Sequence, residues 1–212
     1  MTTTPLLENG VPIGNQVDKT NLENPIFRYL VQRFDRTLHE LVSAAQPSSI
    51  HEVGCGEGRV SRMLHEWTGL PVRASDYSRS LTETNIARAD HGIEYLWRPI
   101  ENLVPAEDRA DLIVCCEVLE HLPDPNQALQ TLHQLEARHY VFSVPNEPLW
   151  RFLNMARGKY LRDFGNTTGH VNHFSLRALT SLLKDQGFIP CETRLPLPWS
   201  MVLVKRDDKA HS

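Results

Sequence analysis

The sequence contains no apolar run long enough to cross a membrane as a helix, and its start lacks the basic stretch and apolar core of a secretory signal. Its four cysteines show no C-x-x-C spacing and no disulfide framework of the secreted type. This composition is typical of a protein in a reducing compartment, and we expect a cytoplasmic location. The four cysteines are Cys55, Cys115, Cys116 and Cys191.

An excess of positive charge is also missing, because 22 lysines and arginines stand against 26 aspartates and glutamates, for a net charge of -4. A nucleic-acid-binding face is normally basic, so this balance argues against nucleic acid as a partner. Internal repeats, low-complexity tracts and a convincing linker are absent as well. We therefore predict a single domain over residues 21–206, after a poorly ordered polar segment (1–20) and before a short tail (207–212).

The first predicted element is a long helix that begins at Pro25 with Asn24 as its cap. Apolar residues recur along it at helical spacing and predict a buried stripe. That stripe comprises Ile26, Leu30, Phe34, Leu38 and Leu41.

After Pro47, short apolar strands alternate with helices, and the run "DLIVCC" is continuously apolar, as in a strand covered on both faces. Alternating strands and helices predict an α/β fold with a parallel sheet. The predicted strands are 49–53, 71–75, 93–97, 110–116, 138–144, 188–195 and 200–206. The helices between them are 59–68, 79–90, 125–136 and a last one that Ser175 can cap and Gly187 can end.

Three glycines, Gly54, Gly56 and Gly58, lie between the first of these strands and its helix. Such a loop lets a backbone approach a nucleotide-like ligand, although a tight structural turn is the alternative. The spacing G-x-G-x-G also departs from the dinucleotide pattern G-x-G-x-x-G. Asp76 ends the next strand, where an acid can accept hydrogen bonds from ribose hydroxyls or cap the helix that begins near Ser78.

Six motifs follow one another in the order "EVGCGEG", "ASDYS", "IENL", "EVLEHLPDP", "FSVPN" and "HVNHFS". With them, residues 24–205 resemble the class I S-adenosylmethionine-dependent methyltransferases, and most closely the ubiquinone-biosynthesis type of O-methyltransferase. The resemblance implies a Rossmann-like, doubly wound sheet of seven strands. It is mostly parallel with an antiparallel last strand, and an insertion follows the fifth strand.

The same resemblance implies a binding site for S-adenosylmethionine. Arg98 and Pro99 depart from the family pattern, which often places an acidic or amide residue before the adenine. The implied cofactor residues are Glu52, Gly54 and Gly56 at the methionine end, Asp76 at the ribose, Tyr77, Ile100 and Glu101 around the adenine, and Cys116 and Glu117 beneath the sulfonium.

A cluster of acidic residues and histidines provides candidates for catalysis. Glu117, Glu120 and His121 have i, i+3, i+4 spacing, and His170 and His173 follow the insertion. In the related enzymes a similar cluster with a later histidine, here His170, holds a divalent metal, and such a ligand set suits Mg²⁺, Mn²⁺ or Zn²⁺. The alternatives are that His121 or His170 acts as a base without metal, or that these residues are structural.

The insertion, residues 145–170, includes a basic amphipathic stretch at 149–162. This stretch predicts peripheral membrane contact, a lid over a small-molecule substrate, or an ordinary packed helix. Together these features predict O-methylation of a small-molecule or lipid-linked hydroxyl by a monomer or homodimer. The alternatives are N- or C-methylation on the same fold, and an NAD-dependent oxidoreductase.

Overall fold

Seven strands form the central sheet in this computed structural model, which describes residues 6–8, 11–13, 24–147, 149 and 171–207. Numbered after the two strands of an N-terminal hairpin, β1 (Leu6–Glu8) and β2 (Val11–Ile13), they are β3 (Ile50–Val53), β4 (Val72–Asp76), β5 (Ile93–Trp97), β6 (Leu112–Cys116), β7 (His139–Pro145), β8 (Phe188–Arg194) and β9 (Trp199–Arg206).

The strands of the sheet lie in the order β5-β4-β3-β6-β7-β9-β8. The first five of these are parallel to one another, whereas β9 pairs antiparallel with both β7 and β8. The predicted sheet, mostly parallel with an antiparallel last strand, is therefore confirmed.

The helices cover both faces of the sheet. Along β6, Ile113 and Cys115 join one hydrophobic core, whereas Leu112 and Val114 join the other, which explains why this strand is apolar throughout. None of the helices within the described residues combines the length and apolar character needed to span a bilayer. They are α1 (Pro25–Ala45), α2 (Arg59–Thr68), α3 (Arg79–Arg88), α4 (Pro105–Asp108), α5 (Pro125–Gln134) and α6 (Leu176–Asp185).

Helix α1 begins as predicted, because the Asn24 side chain accepts hydrogen bonds from the amides of Ile26 and Phe27. The predicted stripe is wrong at its start, however, since Ile26 is 70% exposed and Leu30 only half-buried. Each four-residue step turns by about 400° around the helix axis, about 40° more than a full turn. Residues spaced by four therefore drift around the helix, and the first members of the stripe point away from the core. The buried face comprises Phe27, Val31, Phe34, Leu38, Leu41, Val42 and Ala45.

The N-terminal hairpin of β1 and β2 was not expected, because residues 1–20 were predicted to be poorly ordered. Its Glu8 carboxylate accepts hydrogen bonds from the Ser78 hydroxyl (2.6 Å), the Ser80 hydroxyl (3.0 Å) and the Arg79 amide (3.1 Å). The bond from Ser78 lowers the pKa of Glu8. These contacts attach the hairpin to the start of α3, while the rest of residues 1–23 lies outside the described residues.

Two helices end earlier than predicted because left-handed residues follow them. Ala89 (φ +53) follows α3, and Glu136 (φ +54) lies two residues after α5. Helix α6 begins and ends as predicted, because Ser175 caps it and Gly187 (φ +80) lies two residues after its end. Such residues cannot continue a right-handed helix, and they return the chain to the sheet.

An ion pair between the half-buried Arg98 and the buried Asp108 accounts for Arg98, which departs from the family pattern. Its guanidinium donates to both carboxylate oxygens of Asp108, at 2.9 and 2.8 Å, and the Val104 amide also donates to this carboxylate. The buried His51 ring bonds the Asp108 carbonyl and the Ser75 hydroxyl, each at 2.9 Å, and burial lowers its pKa. The network anchors the segment after β5 to β3 and β4.

We expect Asp108→Asn to destabilise the fold by about 2 kcal/mol, because it leaves a buried amide facing donors that it can satisfy only in part. Equilibrium urea unfolding measures this loss. Glu107→Gln is the matched control, because Glu107 also pairs with Arg98 (2.7 Å) but is exposed. It should change stability by less than about 0.5 kcal/mol. Equal effects for the two variants would contradict a special role for the pair with the buried Asp108.

Candidate functional site

The candidate site lies where the chain connections diverge in the sheet. From β3 the chain continues to β4 on one side, while β6 lies on the other side of β3. In open parallel sheets, ligands bind outside the carboxyl ends of the strands at such a switch point. The glycine loop follows β3 and residues 117–121 follow β6, so both border this position.

The glycines of the loop have different roles. All three have positive φ values, of +81° at Gly54, +50° at Gly56 and +69° at Gly58. A Cβ at Gly54 would overlap the side chain of Val118, and one at Gly58 would lie 2.5 Å from the Tyr95 hydroxyl. A Cβ at Gly56 would meet nothing within 4 Å. Packing therefore demands the outer two glycines, whereas the space beside the middle one is open to a ligand.

The amides of the glycine loop are already bonded within the protein. Those of Gly54 (2.8 Å) and Cys55 (3.1 Å) donate to the Ser75 carbonyl, and that of Gly58 donates to the Cys55 carbonyl (2.8 Å). The amide of Gly56 donates to the Asp76 carboxylate at 2.7 Å. These four amides are therefore not arranged to cradle a pyrophosphate, as the amides of a phosphate-binding loop are.

Asp76 ends β4 and joins two loops. Besides the Gly56 amide, its carboxylate accepts the Ser78 amide at 2.7 Å, and burial raises its pKa against these two bonds. Ser78, and not Asp76, caps α3, since its hydroxyl accepts the Leu81 amide. Tyr77 is exposed beside this turn, and its carbonyl accepts the Trp97 indole N–H at 3.0 Å.

Glu52 is a buried carboxyl group on β3, directly before the loop. Its partner is the hydroxyl of Ser61 on α2, which donates to Oε2. Burial raises the pKa of Glu52 to about 8, and the charge of Asp76 also raises it, whereas the Ser61 bond lowers it. Glu52 is therefore mostly protonated at neutral pH.

The two residues predicted near the adenine differ in exposure. Ile100 is buried in a single 3-10 turn (Ile100–Asn102) after β5, while Glu101 in the same turn is exposed. This turn lies at the same edge of the sheet as Asp76, because Asp76 pairs with Trp97 in β5.

The residues that follow β6 lie at the same edge of the sheet as the glycine loop. Cys116 is half-buried, and Glu117 takes the left-handed conformation with φ +57°. The Glu117 amide donates to the Ser143 carbonyl at 2.9 Å, and its carboxylate accepts the indole N–H of Trp199 at 2.6 Å. The following Val118 packs against Gly54, so Glu117 borders the glycine loop.

Three of the four predicted metal ligands, Glu117, Glu120 and His121, lie in the described part of the chain. Among the described residues, no group of three or more His, Cys, Asp or Glu side chains that could hold a metal ion is found. Glu117 is left-handed, and a 3-10 turn (Leu119–His121) contains the other two residues. His121 is half-buried and Glu120 is buried, whereas His170 lies outside the described residues.

The segment that includes His173 packs against this turn. The Glu120 carbonyl accepts the amides of Val171 (2.9 Å) and Asn172 (3.1 Å), and the Asn172 side chain donates to the Leu122 carbonyl at 2.6 Å. His173 Nδ1 lies 3.7 Å from Oε1 of the buried Glu147, which follows β7. The motif "HVNHFS" therefore reaches the same edge of the sheet as "EVLEH".

Sequence reasoning missed several contributors to the site. Ser61 and Asn85 are buried polar residues on helices, and the Asn85 amide donates to the Gly56 carbonyl at 2.8 Å. A polar residue on the core face of a helix is the signal that could have identified them. Glu147 and the contact between Trp199 and Glu117 had no such local signal.

The strand order and the position of the glycine loop define the fold class as a doubly wound, Rossmann-like α/β sheet. A family model described as a methyltransferase domain matches residues 26–191. The chain therefore belongs to this methyltransferase domain family, which confirms the resemblance found in the sequence.

Curated relatives carry the name ubiquinone biosynthesis O-methyltransferase. The protein of Bordetella avium (strain 197N) is 30% identical over 97 residues, which are 44% of this chain and 40% of the relative. The protein of Coxiella burnetii (strain RSA 493 / Nine Mile phase I) is 37% identical over 82 residues, 37% of this chain and 35% of the relative. The matches thus span less than half the length of these relatives.

Solved structures extend the likeness in fold to most of the chain. Magnesium protoporphyrin IX methyltransferase from Synechocystis PCC 6803 with bound SAH superposes with a TM-score of 0.66 at 18% identity, covering 88% of this chain and 89% of that one. An S-adenosylmethionine dependent methyltransferase from Mesorhizobium loti gives a TM-score of 0.56 at 21% identity, covering 74% and 90%.

The raised pKa of Glu52 predicts a pH-dependent stability. Between pH 4.5 and about 8 the folded state keeps a proton that the unfolded state releases, so stability falls as pH rises through this range. The free energy of unfolding of the wild type should fall by at most about 1.4 kcal/mol per pH unit from this group. Glu52→Gln cannot ionise at this position, so it should lack this fall. Urea unfolding of both proteins at pH 5, 6, 7 and 8 measures it.

Asp76 titrates in both proteins, so the difference between wild type and Glu52→Gln isolates Glu52. We expect the variant to gain stability relative to wild type as pH rises. Parallel curves would show that Glu52 is not held protonated.

Proposed function

We propose that this chain is an S-adenosylmethionine-dependent methyltransferase that methylates a hydroxyl of a small-molecule or lipid-linked acceptor. Membership of the methyltransferase domain family supports the reaction type. The names of the curated relatives support an oxygen acceptor, and the neighbouring structures with bound SAM or SAH support the cofactor.

The observation that carries the proposal is the charge and hydrogen bonding around the glycine loop. The carboxyl groups of Asp76 and Glu117 border a loop whose described amides are bonded internally, and the neighbouring Glu52 is held protonated. Acidic groups attract a cation and repel a pyrophosphate. S-adenosylmethionine carries a sulfonium and an ammonium group, so this environment favours it over a dinucleotide such as NAD.

Each predicted cofactor residue has a place in this proposal. Glu117 would face the positive methionine end, where the protonated Glu52 would offer a hydrogen-bonding group. The open side of Gly56 would lie against the ligand, and Asp76 would hold the ribose. The remaining proposed contacts are Gly54 in the loop, Tyr77, Ile100 and Glu101 around the adenine, and Cys116 near the sulfonium.

When bound, the cofactor supplies a methyl group on a positive sulfur, which is a good leaving group. The protein has to hold the acceptor oxygen in line with that methyl group, and positioning of this kind lowers the barrier by several kcal/mol, up to about 7–11. The buried walls around Glu52 and Leu119 exclude water from one side of the crevice.

The acceptor hydroxyl must lose its proton, and we propose His121 or His170 as the base. His173 is the alternative, because its Nδ1 lies 3.7 Å from Oε1 of Glu147, which can orient the ring.

The proposal also includes a cellular location and a role for the insertion after β7. Four free cysteines, two of them buried, support a reducing compartment such as the cytoplasm. The stretch 149–162, proposed as a lid or a membrane contact, lies outside the described residues apart from Leu149.

Calorimetry with S-adenosylmethionine, S-adenosylhomocysteine and NAD in parallel tests the proposal directly. We expect both adenosyl compounds to bind and NAD to give no heat. A panel of hydroxyl acceptors with methyl-labelled cofactor, with and without chelator, then tests methyl transfer and metal need. Folded protein that binds NAD but neither adenosyl compound would overturn the proposal.

Gly56→Ala should weaken S-adenosylmethionine binding at least about tenfold, since the new methyl group enters the open space beside the loop. Gly69→Ala is the control because Gly69 also has positive φ (+67°) and open space, but it lies at the end of α2. Both variants should lose a similar stability of about 1 kcal/mol. Equal affinities in the two variants would contradict a ligand-facing role for Gly56.

A further inference from the structure

Glu117 has an unusual backbone for its residue type. Its φ of +57° places a non-glycine residue in the left-handed region, directly after the last residue of β6. Such a conformation costs about 1 kcal/mol or more, and surrounding contacts have to maintain it. One of them is the 2.9 Å bond from its amide to the Ser143 carbonyl in β7. The side chain therefore departs from the regular alternation of the strand.

The Glu117 carboxylate is held by Trp199, a residue 82 positions later in the chain. Trp199 begins β9, is fully buried and pairs with Pro145 of β7. Its ring packs edge-on against Phe34 of α1, with centroids 5.1 Å apart. The indole N–H donates to Glu117 Oε1 at 2.6 Å. A bond from a buried donor to a charged acceptor is stronger than a neutral one.

The carboxylate lies beside the switch point of the sheet. Val118, the next residue, packs so closely on Gly54 that an added Cβ there would overlap it. Glu117 is half-buried, so one side of it is covered by protein and the other can face a ligand. A negative charge in such a partly desolvated position interacts more strongly with a cation than one in bulk water.

We propose that Trp199 is a positioning residue that directs the Glu117 carboxylate toward the cofactor sulfonium, so that this pair favours the charged cofactor over the neutral product. The inference rests on the proposed function. Methyl transfer turns the sulfonium into an uncharged thioether, and the attraction to Glu117 is lost at that step. The pair therefore acts on cofactor selection and on product release.

The test measures the dissociation constants of S-adenosylmethionine and S-adenosylhomocysteine by calorimetry for wild type, Trp199→Phe, Glu117→Gln and the double variant. Phenylalanine keeps an aromatic ring but removes the N–H donor. We expect Trp199→Phe to weaken binding of the charged cofactor about five- to tenfold and that of the product by less than about twofold. Because the two residues act as a unit, the double variant should bind no more weakly than Glu117→Gln.

Trp67→Phe is the matched control. Trp67 lies on α2 and packs on the His39 ring, with centroids 4.9 Å apart. We expect the ratio of the two dissociation constants to equal that of wild type in this variant. A change in Trp199→Phe that weakens both ligands by the same factor would show a merely structural role and overturn the inference.

A second measurement applies if Trp199→Phe does not fold. The indole ¹H–¹⁵N resonance of Trp199, assigned by substituting the other three tryptophans, should shift in Glu117→Gln. The dissociation constant of S-adenosylhomocysteine divided by that of S-adenosylmethionine should fall in the same variant. An unchanged resonance or an unchanged ratio would reject the inference. Absence of S-adenosylmethionine binding by folded wild type would instead reject the proposed function itself.

Discussion

The Asp76 carboxylate determines the shape of the crevice. Because β3 and β4 are parallel, both strands end at the same edge of the sheet. The loop after each strand has to turn back there without overlapping the other loop. Asp76 bonds the Gly56 amide in one loop and the Ser78 amide in the other, each at 2.7 Å. Asn85 holds the Gly56 carbonyl from the opposite side. The loop is therefore organised by the protein's own groups before a ligand arrives, which reduces the ordering cost of binding.

Much of the sheet could be predicted from the sequence because its strands are covered on both faces. A strand such as β6 shows a continuous apolar run, and the glycine loop marks the point where β3 gives way to α2. The family motifs then placed Glu52, Asp76 and Glu117 at one edge, where the structure has them. Local patterns were sufficient for these features because each depends on neighbours along the chain.

Other features depend on contacts between distant segments, which periodicity does not encode. The bond between Trp199 and Glu117 joins residues 82 positions apart in the chain, and Glu8 contacts the start of α3 from a segment whose composition is typical of disorder. The buried face of α1 was predicted to begin at Ile26 and not at Phe27, because both residues are apolar and only packing determines which one is buried. The relative placement of Glu117, Glu120 and His121 likewise depends on a left-handed residue and a 3-10 turn, which their spacing in the sequence does not encode.

The position of β9 has a consequence for how the molecule is made. This strand is the last of the sheet in the chain, yet it lies in the interior, between β7 and β8. During vectorial synthesis on the ribosome, β7 therefore keeps an open hydrogen-bonding edge, and β8 has no neighbour, until residue 206 has emerged. Trp199 arrives with that strand, so the nascent chain completes its crevice and closes its aggregation-prone edge in one late event.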